Sequence, residues 1–167
     1  SLFFDRHFDK EIAFGYAPYT SKFDQNAFVL IKIKDEPEAL ARLQRMANES
    51  SPVATSTKNG NISIIQWQSN GFAGSVFGSQ YTFPEEYIAI YKGILYIAPS
   101  RNMLVYLLQQ KERNRTLHRS STYASNTQSM YQFANNTLYI DIPSILRRMQ
   151  SVFTPEKIVW INSTRAL

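Results

Sequence analysis

Cationic side chains form the densest cluster of chemically active groups in this sequence. Side chains of this kind bind anionic partners such as a charged glycan. A structural role is the alternative, in which they complement the negative end of a helix dipole and continue into a solvated loop. We treat the cluster as a candidate anion-binding surface, with both interpretations open. Its members are Lys111, Arg113, Arg115, His118 and Arg119.

Nucleic acid is a poor match for the same cluster. Binding of single strands also uses exposed aromatic rings between the charges. Tyr123 is the one ring close by in the sequence. We therefore predict no specific nucleic-acid partner.

Potential metal ligands recur at every second residue near the start of the chain. In a strand they would share one face and could coordinate a metal ion. However, Phe4, Phe8 and Ile12 keep helical spacing, which indicates the last turns of a helix instead. We therefore predict no metal site here. The four potential ligands are Asp5, His7, Asp9 and Glu11.

Motifs for catalysis are missing from the sequence. The chain has no cysteine, which excludes thiolate nucleophiles, disulfides and cysteine-ligated metals. It also has no Gly-rich phosphate loop, no Gly-x-Ser-x-Gly and no His-Glu-x-x-His. Asp35 and Asp141 are better explained as helix caps, and Glu38 as a capping-box partner. We predict no catalytic residue, no cofactor and no enzyme activity.

A run of aromatic residues occupies the middle of the chain. Rings on an exposed sheet face stack on sugars or peptides, but such rings more often form core and cross-strand pairs. Both interpretations remain open for this run. It comprises Trp67, Phe72, Phe77, Tyr81, Phe83, Tyr87 and Tyr91.

Three β-rich runs each pass through a short polar or Pro-containing junction into a helix with one apolar face. The pattern predicts strands at residues 28–34, 94–98 and 137–140, followed by helices at 35–47, 100–110 and 141–152. Ser100 is the predicted cap of the second helix. A short helix is expected within 121–133 and a last strand at 157–161.

Turn signals predict the remaining strands. Asn70-Gly71 predicts a hairpin between residues 62–67 and 72–77, because Asn-Gly tolerates the positive φ of both turn positions. Lys92-Gly93 predicts a second hairpin between 87–91 and 94–98. A first strand is expected at 12–16, and the polar stretch 48–60 is expected to be an exposed loop.

These elements predict an α+β fold, with an antiparallel, mostly meander β-sheet and about three helices packed on one face. The 167 residues suit a single domain over residues 1–167. No apolar run approaches the ~20 residues that span a bilayer. The net charge of +5 fits an anionic partner or simple solubility.

Two stretches resemble a known family when they are considered together. Residues 83–110 consist of a hydrophobic strand, a Lys-Gly turn, Leu-Tyr-Ile, a small residue, Ser and an apolar helix. Leu138-Tyr-Ile-Asp141 leads into another helix, and residues 8–14 are similar to the family's turn into its first strand. The pattern resembles an uncharacterised family of bacterial, Bacteroides-type extracytoplasmic proteins known as a domain of unknown function. The resemblance implies a segment of a longer exported protein, located in the periplasm or at the cell surface.

Three functional hypotheses follow from the sequence. The first is an extracytoplasmic binding or scaffolding domain without catalytic activity, whose partner is another envelope protein. The second is a glycan- or anion-binding module that uses the aromatic meander or the basic residues 111–119. An enzyme of unrecognised type is the third.

Overall fold

A computed structural model describes residues 7–17, 26–49, 54–68, 72–77, 83 and 85–127 of the chain. The chain divides into two compact units, Ser1–Ser120 and Ser121–Leu167. The single domain predicted over residues 1–167 stays a prediction. The helix predicted at 141–152 and the strands predicted at 137–140 and 157–161 lie outside the described residues.

Six strands and four α-helices occur within the described residues. Among these helices, none is both long enough and apolar enough to cross a membrane. The elements are β1 (Phe8–Tyr16), β2 (Ala27–Ile33), α1 (Glu36–Glu49), β3 (Ala54–Asn59), β4 (Ile62–Gln68), α2 (Phe72–Phe77), β5 (Glu85–Tyr91), β6 (Ile94–Ala98), α3 (Arg101–Glu112) and α4 (Ser121–Thr127). A 3-10 turn, Leu117–Arg119, separates α3 from α4.

The six strands form one sheet in the order β1-β2-β6-β5-β4-β3, and every neighbouring pair is antiparallel. Strands β3 to β6 are a meander, and the β1–β2 hairpin joins it through β2 and β6. The predicted α+β class, with its mostly meander antiparallel sheet, is confirmed.

The two long helices cover opposite faces of this sheet. Helix α1 buries Ala39, Leu43 and Ala47 in a core with Ile31, Ile65 and Ile88, which define the first face. Helix α3 buries apolar side chains in a separate core on the second face. The strand residues of this core are sequence neighbours of those in the first core, because successive side chains of a strand point to opposite faces. The second core contains Ile64, Ala89, Tyr96, Ala98, Met103, Leu104 and Leu108.

The helices therefore do not share one face, which corrects that part of the prediction. The reason lies in strands β5 and β6, where consecutive residues are buried: Ile88, Ala89 and Ile90 in one, and 95–98 in the other. A strand that is covered on both sides has a continuous apolar run rather than an alternation.

Two helices begin at the predicted side-chain caps, and the second hairpin has the predicted turn. The Asp35 carboxylate accepts a hydrogen bond from the Glu38 N–H at 3.1 Å, and the Ser100 hydroxyl accepts one from the Met103 N–H at 3.2 Å. The Lys92-Gly93 turn has positive φ at both positions, 49° and 73°, which is the geometry that matches the strand twist.

The hairpin predicted at Asn70-Gly71 was wrong, because Phe72–Phe77 is helix α2. The hairpin partner of β4 is instead β3, which lies within the stretch expected to be a loop. The two strands are joined at residues 60–61, where Gly60 has a φ of +61°. This polar sequence forms β3 through its backbone pairing with β4, and its consecutive residues Ser56, Thr57 and Lys58 are exposed.

The start of the sheet also differs from expectation. Strand β1 begins at Phe8, four residues earlier than predicted, and His7 before it has helical backbone. The register of β1 against β2 shifts between Phe8 and Ile12. Such a β-bulge places extra residues opposite one residue of the partner strand.

Candidate functional site

The basic cluster lies at the C-terminal end of α3 and in the 3-10 turn after it. Arg113 is the C-cap, and the next residue, Asn114, has a φ of 53°. The Asn114 N–H bonds to the Lys111 carbonyl at 3.2 Å, and the Arg115 N–H bonds to the Gln110 carbonyl at 2.9 Å. This pair of bonds is a Schellman motif, which satisfies the last free carbonyls of a helix.

The structure thus brings Lys111, Arg113 and Arg115 to one helix end, and Arg119 follows in the 3-10 turn. The backbone of His118 lies in the same turn. Arg113, Arg115 and Arg119 are exposed, and the described residues provide no carboxylate within ion-pair distance of them. The neighbouring Glu112 pairs with Lys92 at 3.1 Å instead. These three guanidinium groups are accessible to an anion in solution.

The aromatic run contributes mainly to packing. Phe72 is buried, and its ring centroid lies 6.0 Å from that of Trp67 in the first-face core. Tyr87 and Tyr91 pack against the second-face core. None of the run's rings with described side chains is fully exposed, which favours the core interpretation for them. The side chains of Phe77 and Tyr81 lie outside the described residues.

Two buried groups on the sheet have perturbed acidity. Burial raises the pKa of the Tyr96 phenol to about 12, and the nearby Glu36 carboxylate adds to the shift. Burial also raises the pKa of the Glu86 carboxyl, although backbone N–H donors oppose the shift. Glu86 is on the first face with Ile88, whereas Tyr96 is on the second. The two groups are therefore separated by the sheet and cannot act on one substrate.

The carboxylates of Asp9 and Glu11, considered above as metal ligands, both approach Lys32. The Lys32 ammonium lies 2.7 Å from Glu11 and 3.5 Å from Asp9, and the bond to Glu11 is the main cause of the raised pKa of Lys32. The strand alternation that a metal site requires fails at His7, which precedes β1. Within the described parts of the chain, no group of three or more potential metal ligands occurs.

An exposed apolar row on β1 is the surface feature that sequence reasoning missed. Ile12, Phe14 and Tyr16 are 46 %, 52 % and 38 % exposed. They are every second residue of the strand and therefore project from one face. This is the first face of the sheet, because Ile12 lies opposite Ile31 and Phe14 lies opposite Val29. The alternation was visible in the sequence, where residues 12–16 were predicted to be a strand, but no surface was assigned to it.

Comparisons with protein-family models, curated proteins and solved structures find no match to this chain.

Proposed function

We propose that this chain is a binding or scaffolding domain without catalytic activity, which contacts another protein through the apolar row of β1. The exposure of Ile12, Phe14 and Tyr16 is the observation that carries the proposal. Aromatic side chains supply large contact areas and are enriched in protein–protein interfaces.

The two edge strands of the described sheet, β1 and β3, differ in the polarity of their exposed side chains, which supports an interface at β1. Proteins commonly protect the ends of a sheet with polar and charged side chains. Strand β3 follows this rule, since Ser56, Thr57 and Lys58 are its exposed residues. Strand β1 exposes two rings and an isoleucine instead. A row of this kind is costly in water unless a partner covers it.

The proposed location is the periplasm or cell surface of a bacterium, with another envelope protein as the partner. The resemblance of residues 83–110 and 138–141 to an extracytoplasmic bacterial family supports this part. Fractionation of the source cells tests it directly, and recovery of the protein in the cytoplasmic fraction would contradict it.

A pull-down from envelope extract tests the interface. The immobilised chain is compared with Phe14→Ser, which removes the most exposed ring of the row, and with Thr57→Ser on the opposite end strand as a matched control. We expect one or more proteins to be retained by the wild type and by Thr57→Ser, and lost with Phe14→Ser. Equal recovery with all three proteins, or no recovery by the wild type, would refute the proposed interface.

An anion- or glycan-binding module is the second candidate, favoured by the exposed guanidinium groups of Arg113, Arg115 and Arg119. Binding to an array of anionic glycans tests it, with the three arginines changed together to glutamine. Arg101→Gln at the other end of α3 is the control, because Arg101 is exposed on the same helix. Binding that the triple change abolishes and the control retains would support this candidate over the first.

A further inference from the structure

Glu86 places an ionisable group inside the protein, where it binds backbone rather than another side chain. Its side chain is fully buried. The two carboxylate oxygens accept hydrogen bonds from the Ala73 N–H at 2.9 and 3.2 Å. The backbone N–H groups of Phe72, Gly74 and Phe83 also lie near enough to lower the pKa of this carboxyl.

This one carboxylate accepts hydrogen bonds from a backbone N–H in the first turn of α2. The first N–H groups of any helix lack partners within the helix and need an external acceptor when they are buried. Helix α2 has only six residues, too few to be stable without tertiary contacts. Among the described contacts, Glu86 therefore supplies the polar anchor of α2.

Apolar contacts hold the same turn against the sheet. Phe72 and Ala73 are buried in the first-face core. Trp67, which contacts Phe72, is the residue opposite Glu86 in the β4–β5 register. The sheet itself depends on different bonds, since β5 pairs with β4 and β6 through its backbone. Loss of the anchor would release α2 while leaving these ladders intact.

We propose that Glu86 is a latch that holds α2 closed over Trp67, and that α2 opens from the sheet as one unit when the latch is broken. Opening begins at the first turn, because the Ala73 N–H there is held by both oxygens of the Glu86 carboxylate. The open form uncovers Trp67 and Phe72, an apolar surface separate from the row on β1.

Hydrogen exchange and fluorescence quenching test the latch. All proteins carry Trp160→Phe, which leaves Trp67 as the sole tryptophan of a chain that has two. Glu86→Gln and Glu86→Ala are compared with Glu85→Gln. Glu85 is the neighbouring exposed carboxylate, which bonds only the Tyr87 hydroxyl among the described contacts.

We expect the amides of Ala73 and Gly74 to exchange at least about tenfold faster in both Glu86 variants, since each loses hydrogen bonds to a charged acceptor. Acrylamide should quench Trp67 more strongly in the same variants. The amides of Leu95 and Ile97 should change by less than about twofold, and Glu85→Gln should match the parent protein.

Two results would overturn the proposal. Unchanged exchange at Ala73 and Gly74 would show that Glu86 does not hold α2. Equal acceleration at Ala73 and Leu95 would show that Glu86 supports the whole sheet. If neither Glu86 variant folds, the urea dependence of amide exchange in the parent protein tests the latch instead. A latch predicts that low urea concentrations hardly affect exchange at Ala73 and Gly74, whereas global opening predicts a steep dependence shared with Leu95.

Discussion

The location of the two long helices on opposite faces of the sheet makes a quantitative prediction about Leu43 and Leu104. Both side chains are fully buried, Leu43 in the first-face core and Leu104 in the second. Truncation to alanine removes three carbons, which costs about 2.4 kcal/mol at ~0.8 kcal/mol per buried carbon. The cavity left behind adds to this, so we expect each variant to lose about 3 kcal/mol of unfolding free energy.

The combined variant distinguishes one shared core from two separate cores. Residues without common partners have additive effects within roughly 0.5 kcal/mol. Because the sheet lies between Leu43 and Leu104, we expect the double variant to lose about 6 kcal/mol, the sum of the single losses. Two leucines in one core would leave a joined cavity and would deviate from additivity by more than about 1 kcal/mol.

Urea unfolding gives the unfolding free energies of the parent, the two single variants and the double variant. It is followed by Trp67 fluorescence in the Trp160→Phe background. A stabilising osmolyte is added to every sample, because a loss of about 6 kcal/mol approaches the whole stability of a typical domain. Leu117→Ala is the control, since Leu117 is 48 % exposed and should lose less than about 1 kcal/mol. A Leu104→Ala loss as small as the control's, or strong coupling in the double variant, would refute the arrangement on two faces.

Three further predictions concern single residues. Ser100→Ala removes the hydroxyl that caps α3, and should lower the unfolding free energy by about 1 kcal/mol in the same urea assay; no loss would contradict the capping role. Gly93→Ala places a Cβ at a φ of +73° and should cost about 1 kcal/mol, whereas the same change at a position of negative φ in a turn should not. Because burial raises the pKa of Glu86 above 4.5, ionisation of this carboxyl lowers the unfolding free energy as pH rises from 4.5 through the higher folded value, while its hydrogen bonds to the Ala73 N–H remain. The unfolding free energy of the wild type minus that of Glu86→Gln should therefore be larger near pH 4 than near pH 7, and an increase with pH would contradict this sign.

Helix ends and the second hairpin could be predicted from the sequence because their signals are local. Asp35 and Ser100 each bond an N–H three residues later, and Lys92-Gly93 adopts the backbone geometry that its own turn requires. Such bonds need no knowledge of the rest of the chain. The basic cluster at the end of α3 belongs to the same class, since the polar stretch after the apolar helix indicated a helix end.

Elements that depend on distant residues could not be predicted in this way. The Asn70-Gly71 signal failed because the residues after it form α2, whose first turn is bound by Glu86. Nothing in the order of residues connects this glutamate to Ala73. Strand β3 was missed because its pairing with β4 matters more than its weak strand composition.

The candidate interface could not be predicted for a similar reason. The alternation of Ile12, Phe14 and Tyr16 predicts that one face of a strand is apolar, but not whether another part of the chain covers that face. Its exposure depends on how far α1 and its neighbours extend across the sheet. Glu86 was equally hidden, because adjacent Glu85 and Glu86 suggest a solvated strand start rather than one exposed and one buried carboxylate.

The contact between Glu36 and Gly93 has a consequence for how the chain reaches this fold. The Glu36 carboxylate accepts a 2.7 Å hydrogen bond from the Gly93 N–H, 57 residues later in the sequence. Strand β2 likewise cannot complete its pairing until β6 has been synthesised. During synthesis the β1–β2 hairpin must therefore leave the ribosome with one side of β2 unpaired until the whole meander has emerged. Closing such a long loop is slow, and an unpaired strand is prone to aggregate meanwhile. We expect the β5–β6 hairpin to form early, and its docking onto β2 to limit the folding rate.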